Sequence, residues 1–490
     1  MIDFERLNGK IKPPDRRRPF DYRVIHFVGI GGIGMSGIAE VLHNLGYEVR
    51  GSDIKESETI ERLKSLGIKV FIGHRPQNIG DAHVVVISSA VSEDNPEVVE
   101  ARRLHIPVIP RAEMLAEIGR LKYTILVAGA HGKTTTTSLI ANILAAGGLD
   151  PTVIVGGRLT ATGTNARLGG GDFLVAEADE SDGSFLKLNP TIAVVTNIDR
   201  EHMDFFKDME SLKKAFTDFA NKVPFYGASI LCIDNPHVRQ ILPEIKRRAI
   251  TYGLTEDADV RAGNIDYTEM GGRRYLSFHI FYKGFDEGRF FVPVIGLHNC
   301  LNSLASFIVA RELGIDDEEI RRGLETFSGI KRRLEFKGFK SGISFYDDYA
   351  HHPTEIRSTL RAVKEGLLGE KEGNKTSARR LILIFQPHRY TRTRDLIGEF
   401  ATSFSDADVI FLMDIYSAGE KPIEGISSGL LYNSILQSRM ALWSPVNIQY
   451  IPDREELIKK VLEVLRDGDL VLTMGAGDVW KVGEEILRRL

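Results

Sequence analysis

Cysteine is nearly missing from this chain. Cys232 and Cys300 are the only two among 490 residues. Two thiols without metal-ligand spacing exclude a disulfide-stapled scaffold and a cysteine-rich zinc module, and they fit a reducing, cytoplasmic compartment. Long apolar runs are lacking as well. No stretch approaches the ~20 residues a helix needs to span a bilayer, so no membrane partner is expected. An excess of one charge is also absent, with 63 Lys and Arg against 67 Asp and Glu and a net charge of -4. That is no footprint for nucleic acid or anionic lipid, so an anionic substrate has to be held by local cations and backbone amides. The first 20 residues carry Arg16-Arg17-Arg18 without the apolar stretch of a signal peptide, and they read as a solvated arm.

The chain is too long for one core. At roughly 100–200 residues per domain, about three domains are expected. Short apolar strands alternate with glycine turns and helical patterns in three successive regions, which predicts an α/β protein. The N-terminal region, 1–117, reads as a Rossmann-like unit with strands at 23–28, 47–50 and 84–88. The central region, 118–328, reads as a P-loop ATPase-like unit. Its mostly parallel sheet comes from 123–128, 173–176 and 192–196, with a small antiparallel patch between about 258 and 294. The C-terminal region, 329–490, reads as a second Rossmann-like unit. Its polar segment 365–380 is a surface insertion.

Four motifs follow strands. Gly29-Ile30-Gly31-Gly32-Ile33-Gly34 contains G-x-G-x-x-G between a strand and a helix. Missing Cβ atoms let backbone approach a phosphate, and helix N–H groups meet its charge. Asp53 ends the next strand, where a ribose-binding acid would stand. Alone, this segment favours an NAD(P)-dependent oxidoreductase. Gly129-Ala130-His131-Gly132-Lys133-Thr134-Thr135 also opens a helix. Consecutive amides there can cradle phosphates, Lys133 can neutralise the β/γ end, and Thr134 can place a hydroxyl on Mg²⁺. Val127 occupies the outermost glycine position of a standard P-loop. Glu177-Ala178-Asp179-Glu180 puts carboxylates at a strand end, where a hard cation finds oxygen ligands. Asn197 to Asp204 holds His202, a metal ligand or a core histidine.

Further along, Asn299 and Asn302 stand at a helix start, suited to an adenine edge or to capping. Lys331-Arg332-Arg333 supplies planar guanidinium forks. Asp347-Asp348-Tyr349-Ala350-His351-His352 and Gln386-Pro387-His388-Arg389-Tyr390-Thr391-Arg392 each follow a strand. Two arginines three apart suit a carboxylate or phosphate. No H-E-x-x-H spacing supports zinc at the His pair.

Together these segments, in order and over nearly the whole chain, resemble the Mur ligase family. The most distinctive are Ala130 to Thr136, Glu177 to Glu180, His298-Asn299 with Asn302, and Asp348 to Glu355. Gly31 to Ser36 and Gln386 to Arg392 resemble the alanine-adding branch. The resemblance implies a first domain holding UDP-N-acetylmuramate, a central domain holding ATP and Mg²⁺, and a last domain that closes and brings L-alanine. It implies ligation of alanine to the lactyl carboxylate through an acyl phosphate, in peptidoglycan precursor synthesis. Gly129 to Thr135, Asn299, Asn302, Arg333 and Asp348 would serve ATP. Thr134, Glu177 and His202 would serve the metal. Gly31, Gly32, Ile33, Gly34, Asp53 and Ser88, with His351, Arg389 and Arg392, would serve the substrates. Lys133, Arg333 and His351 are the catalytic candidates. Several family members carry a carbamylated lysine downstream of the magnesium histidine. That position falls near Phe216 here, after Lys213 and Lys214, and the alanine-adding branch lacks the group. A murein-peptide recycling ligase of the same family is the nearest alternative. A regulatory P-loop switch would leave the first and last domains without work. A monomer or weak dimer is expected.

Overall fold

The computed structural model describes residues 24–88, 90–156, 165–369, 380–441 and 447–490. The Arg16 to Arg18 run, Ser89 and most of the expected insertion at 365–380 lie outside them. The architecture is α/β, with three sheets. The first has five parallel strands in the order Lys69–Ile72, Glu48–Asp53, Val24–Val28, Val84–Ile87, Val108–Pro110. Val24–Val28 is buried at all five positions, as a parallel strand covered on both faces requires. The strand order reverses between Val24–Val28 and Val84–Ile87. Ligands of open parallel sheets bind at such a reversal, beyond the carboxyl ends of the strands. Gly29 and Ser88 follow these two strands.

The second sheet has ten strands. Its parallel centre runs Ala249–Gly253, Ala228–Cys232, Ile192–Val195, Tyr123–Ala128, Phe173–Glu177, Thr152–Ile154, and the short antiparallel Ala166–Arg167 ends that side. The loops after residues 128, 177 and 195 therefore leave three adjacent strands at the same end. The other side continues through Val260–Met270 and Arg273–Tyr282 to the edge strand Phe285–Val292. Gly271 and Gly272, both at positive φ, make the two-residue link after Met270, and so short a link joins only antiparallel strands. The expected antiparallel patch is thus built from long strands.

The third sheet runs Glu335–Lys340, Ile343–Asp348, Leu470–Met474, Leu381–Phe385, Val409–Leu412, Ile448–Tyr450, parallel except for its first strand.

By packing, the described chain divides into two compact units. The first takes the residues up to 266 with 277–293 and 299–328. The second takes 267–276, 294–298 and the residues from 329 onward. The first two sheets share one apolar cluster, in which Ile25, Phe27 and Met35 join Leu126, Ala176 and Phe185. Among the described residues no helix is long and apolar enough to cross a membrane.

Gly51 lies opposite Phe27 in the first sheet. A Cβ there would sit 2.6 Å from the Phe27 carbonyl oxygen and 2.8 Å from Ile30 Cδ1. Gly51→Ala should cost about 1–3 kcal/mol of stability by overpacking. Urea unfolding checks this, and an unchanged midpoint would refute the close approach.

Candidate functional site

The first glycine loop is closed from below by its neighbouring strand. Gly29 N and Ile30 N donate to Ser52 O at 2.9 and 3.0 Å, and Gly31 N donates to Asp53 Oδ2 at 2.8 Å. A side chain at Gly31 would meet that carboxylate at 2.8 Å. Asp53 therefore shapes the loop. Helix Ile33–Asn44 starts at Gly32 without a side-chain cap, which leaves its amide end open to an anion. Ser88 borders Gly29, with its Cβ 3.5 Å from where a Gly29 Cβ would lie. Two contacts here have no sequence signal. Arg111 covers Gly34, leaving no room for a Cβ, and pairs with Asp179 at 3.1 Å. Asn165 Nδ2 donates to Ile33 O.

The second loop, after Tyr123–Ala128, meets the loop after Ile192–Val195. His131 N donates to Asn197 Oδ1 at 2.8 Å, and Thr196 Oγ1 and Asn197 Nδ2 donate to His131 O. Gly129 has φ 134 and Gly132 φ 83, backbone that an L side chain strains. A Gly129 Cβ would also lie 2.1 Å from Thr196 Oγ1. Gly132 caps helix Lys133–Ala146. Lys133 Nζ donates to Gly129 O at 2.5 Å and to both oxygens of Glu180 at 2.8 and 2.9 Å. Burial works against the lysine charge, but the carboxylates of Glu180, Asp179 and Glu201 hold its pKa above the ordinary value. Thr134 is buried and Thr135 half-buried, on the first turn.

Glu180, Glu201 and His202 bring one ligand atom each within 4.8 Å of one another. His202 adopts the left-handed backbone, φ 57. Glu177 is not in this group. Its Oε1 accepts from Gly156 N at 2.7 Å. The sequence marks the acidic run from Glu177 to Glu180 for a cation and the resemblance singles out Glu177, whereas the structure sets Glu180, with Glu201, beside His202. His131 Nε2 lies 3.0 Å from Asp199 Oδ2. Asn302 Oδ1 accepts from Thr136 Oγ1 at 3.1 Å, and Asn302 Nδ2 donates to Asn299 Oδ1 at 3.1 Å. Asn302 thus binds its helix to the phosphate-loop helix. Phe216 is core, packed on Phe185 at 5.4 Å, while Lys213 pairs with Glu210 at 2.5 Å.

In the second unit, strand Ile343–Asp348 delivers Asp347 and Asp348. Asp347 accepts from Arg332 Nε at 3.0 Å and Thr473 Oγ1 at 2.7 Å. Asp348 accepts from Leu334 N at 2.7 Å and Ala350 N at 2.8 Å. Arg332 and Leu334 both have positive φ, so this turn is held by the two buried acids. Arg333 lies 5.4 Å from the Tyr349 ring centre and 3.5 Å from Glu355. His351 Nδ1 donates to Tyr349 O at 2.9 Å. A carbonyl only accepts, so Nδ1 carries a proton, and in the neutral ring Nε2 carries the lone pair.

The ring of His351 stands 5.6 Å from His388, which stacks on Tyr416 at 5.7 Å. Arg392 Nη1 donates to His388 Nδ1 at 3.3 Å. Burial, then the charges of His351, Arg392 and Arg389, push the His388 pKa down to about 3. Arg389 is held by its backbone, N to Tyr416 O at 2.9 Å. The structure therefore gathers His351 and Arg392 around a neutral His388. Tyr416 is a wall residue that no motif announced.

Similarity to known proteins follows the same order along the chain. The Mur ligase family's catalytic domain matches residues 24–123, its middle domain 127–310 and its glutamate ligase domain 332–477. The chain belongs to the Mur ligase family. Within it, the chain is 54% identical over 466 residues to the UDP-N-acetylmuramate–L-alanine ligase of Geotalea uraniireducens, covering 95% of this chain and 98% of the relative. The ligase of the same name from Geobacter sulfurreducens is 53% identical over 467 residues, 95% and 97% of the two chains. Among solved structures, the UDP-N-acetylmuramate–alanine ligase of Thermotoga maritima superposes with a TM-score of 0.76 at 27% identity, covering 95% of this chain and 98% of that one. A murein peptide ligase from Psychrobacter arcticus shares the fold, with a TM-score of 0.66 at 24% identity and the same coverage. The glycines at 29–34 thus belong to a ligase fold, and the dehydrogenase reading falls away.

Burial raises the Asp348 pKa to about 6, against the pull of Arg333. An unfolded chain releases that proton near 3.8. Between these values the folded state binds the extra proton, so stability falls as pH rises through the window. The whole shift corresponds to about 3 kcal/mol. Asp348→Asn removes this dependence. The wild-type urea midpoint should drop relative to the variant between about pH 4 and pH 6.5, and parallel profiles would remove the assignment.

Proposed function

We propose that this chain joins L-alanine to the lactyl carboxylate of UDP-N-acetylmuramate, using ATP and Mg²⁺, in cytoplasmic peptidoglycan precursor synthesis that serves cell division. One observation carries the reading: a lysine-bearing phosphate loop stands beside Glu180, Glu201 and His202 at the ends of adjacent parallel strands. The high identity to ligases named for these substrates supports it.

The residues fit the two groups the reaction needs. Left-handed Gly132 opens a 14-residue helix whose first-turn amides, from Lys133 on, have no acceptor within the helix, which suits a polyphosphate. Glu180, Glu201 and His202 form a mostly oxygen donor set suited to a hard divalent cation, which Thr134 and Glu177 would complete. A cation held there would neutralise phosphate charge.

A carboxylate has no good leaving group, so the muramyl carboxylate attacks the γ-phosphate of ATP, releasing ADP and forming an acyl phosphate; the alanine amine then attacks its carbonyl carbon, and phosphate leaves as the amide forms. The barrier is the meeting of two anions. Lys133 lowers it by exchanging Glu180 for phosphate oxygens, and Arg333 supplies a second cation. Arg392 and Arg389 bind the amino-acid carboxylate. His351 Nε2, kept as an acceptor by the Nδ1 bond to Tyr349 O, takes the amine proton.

Lys133→Ala should lower phosphate release from UDP-N-acetylmuramate, ATP and alanine by about 100- to 1,000-fold, while circular dichroism still shows a folded protein, with a lower melting temperature because Glu180 loses its buried partner. Near-normal turnover would refute its role. A panel of alanine, serine, glycine and tripeptide separates this reading from a murein-peptide recycling ligase. For the metal, Glu177→Gln and Glu201→Gln should each raise the Mg²⁺ needed for half-maximal rate by about 10- to 100-fold. An unaltered requirement in either variant takes that residue out of the metal site.

A further inference from the structure

Beneath the first glycine loop lies a carboxylate that the reaction above does not use. Glu97 sits in the first turn of helix Pro96–Arg103 and is fully buried, as are His26 and Ser52. Its Oε2 accepts from His26 Nε2 at 2.8 Å and from Ser52 Oγ at 2.6 Å. Its Oε1 accepts from Asn78 Nδ2 at 2.6 Å and from Arg75 N at 3.1 Å. Four donors, from two strands and the turn after a third, converge on one buried anion.

The direction of these bonds is fixed by chemistry. An ionised carboxylate only accepts, so the Ser52 hydroxyl must donate to it. Ser52 Oγ also lies 3.0 Å from His74 Nδ1. Having spent its proton on Glu97, Ser52 can only accept there, so His74 carries its proton on Nδ1. Burial would push Glu97 upward, but the bonds from His26, Ser52 and Asn78 outweigh it and hold its pKa below the ordinary value. The same Ser52 offers its backbone oxygen to Gly29 N and Ile30 N, and Asp53 beside it holds Gly31 N. Asn78 Nδ2 also donates to Gly73 O, and Gly73 N donates to Asp53 O. Ser52 thus ties Glu97 directly to the residue that holds Gly29 and Ile30, and Asn78 and Gly73 carry a second path from Glu97 to Asp53, which holds Gly31.

We propose that Glu97 is a positioning residue for the sugar-nucleotide site, acting through Ser52 and the His74–Asn78 turn to hold the glycine loop and Asp53 in their binding geometry. This rests on the sugar-nucleotide reading of that loop. Glu97 touches no reacting atom. Its effect falls on binding of the uridine substrate and leaves the phosphate loop of the central sheet alone.

Glu97→Gln keeps the shape but replaces one acceptor by a donor facing donors. Titration calorimetry with UDP-N-acetylmuramate should show affinity weakened about tenfold, the scale of one charge-assisted hydrogen bond. The KM for ATP and the kcat at saturation should hold. Ser52→Ala, which leaves Glu97 its other three donors, should weaken the same binding, and the double variant should be no worse than Glu97→Gln alone, since the two act in one chain of bonds. If Glu97→Gln does not fold, Ser52→Ala alone decides. Wild-type affinity in the folded variants, or an equal loss for ATP and the sugar nucleotide, would overturn the proposal. A wild-type protein that ignores UDP-N-acetylmuramate would instead overturn the functional reading itself.

Discussion

The structure is organised around a lysine whose charge is already committed. Lys133 is bonded to both oxygens of Glu180 and to the Gly129 carbonyl, and the pair is almost wholly shielded from water. A buried ion pair of this kind gains little net stability, because desolvation offsets the attraction, but losing one partner leaves an uncompensated charge. The loop therefore stays ready for an incoming anion without stranding its cation. In the proposed reaction, a phosphate that takes over the lysine would release Glu180 beside Glu201 and His202. Such an exchange of partners would link the arrival of the polyphosphate to the availability of a metal ligand.

Much of this arrangement was legible in the sequence because its parts are local. A strand, a glycine turn and a helix occupy about 30 consecutive residues, and each step has a residue-level signal. The loops at 29–34 and 129–134, the acids at 177–180 and the arginines at 389 and 392 were all visible in this way. Each lies at the carboxyl end of a parallel strand, where the topology collects such segments. Less legible was which acid faces the lysine. Glu177 and Glu180 are three residues apart, and only the loop's path decides that Glu180 turns to Lys133 while Glu177 turns to Gly156. Arg111 over Gly34, Asn165 on Ile33 and Tyr416 on His388 join segments far apart in sequence, and isolated residues carry no period to detect. The shared core of the first two sheets was hidden for the same reason. Two αβ patterns in succession do not say whether their apolar faces meet.

The second unit uses buried acids differently. Asp347 and Asp348 hold a turn in which Arg332 and Leu334 take a left-handed backbone that side chains disfavour. Such strain persists only when the surroundings over-determine it. Here two carboxylates, a guanidinium bonded to Gly475 O and Gly477 O and the Tyr349 ring provide that determination. The result fixes Arg333 at a defined place. Nearby, burial and the surrounding cations keep His388 neutral, so its nitrogen can accept from Arg392 instead of repelling it.

The ten-stranded sheet has one more consequence, at its outer rim. Phe285–Val292 is an edge strand, and an edge with free carbonyls is a template for a neighbouring chain. Arg321 reaches across and donates to Glu287 O and Arg289 O, while Gly288, at φ 88, breaks the regular pleat between them. Charged Asp286, Glu287 and Arg289 crowd the same short stretch. At this rim the guanidinium, the break at Gly288 and the crowded charges together make the edge a poor template for a second copy of the chain.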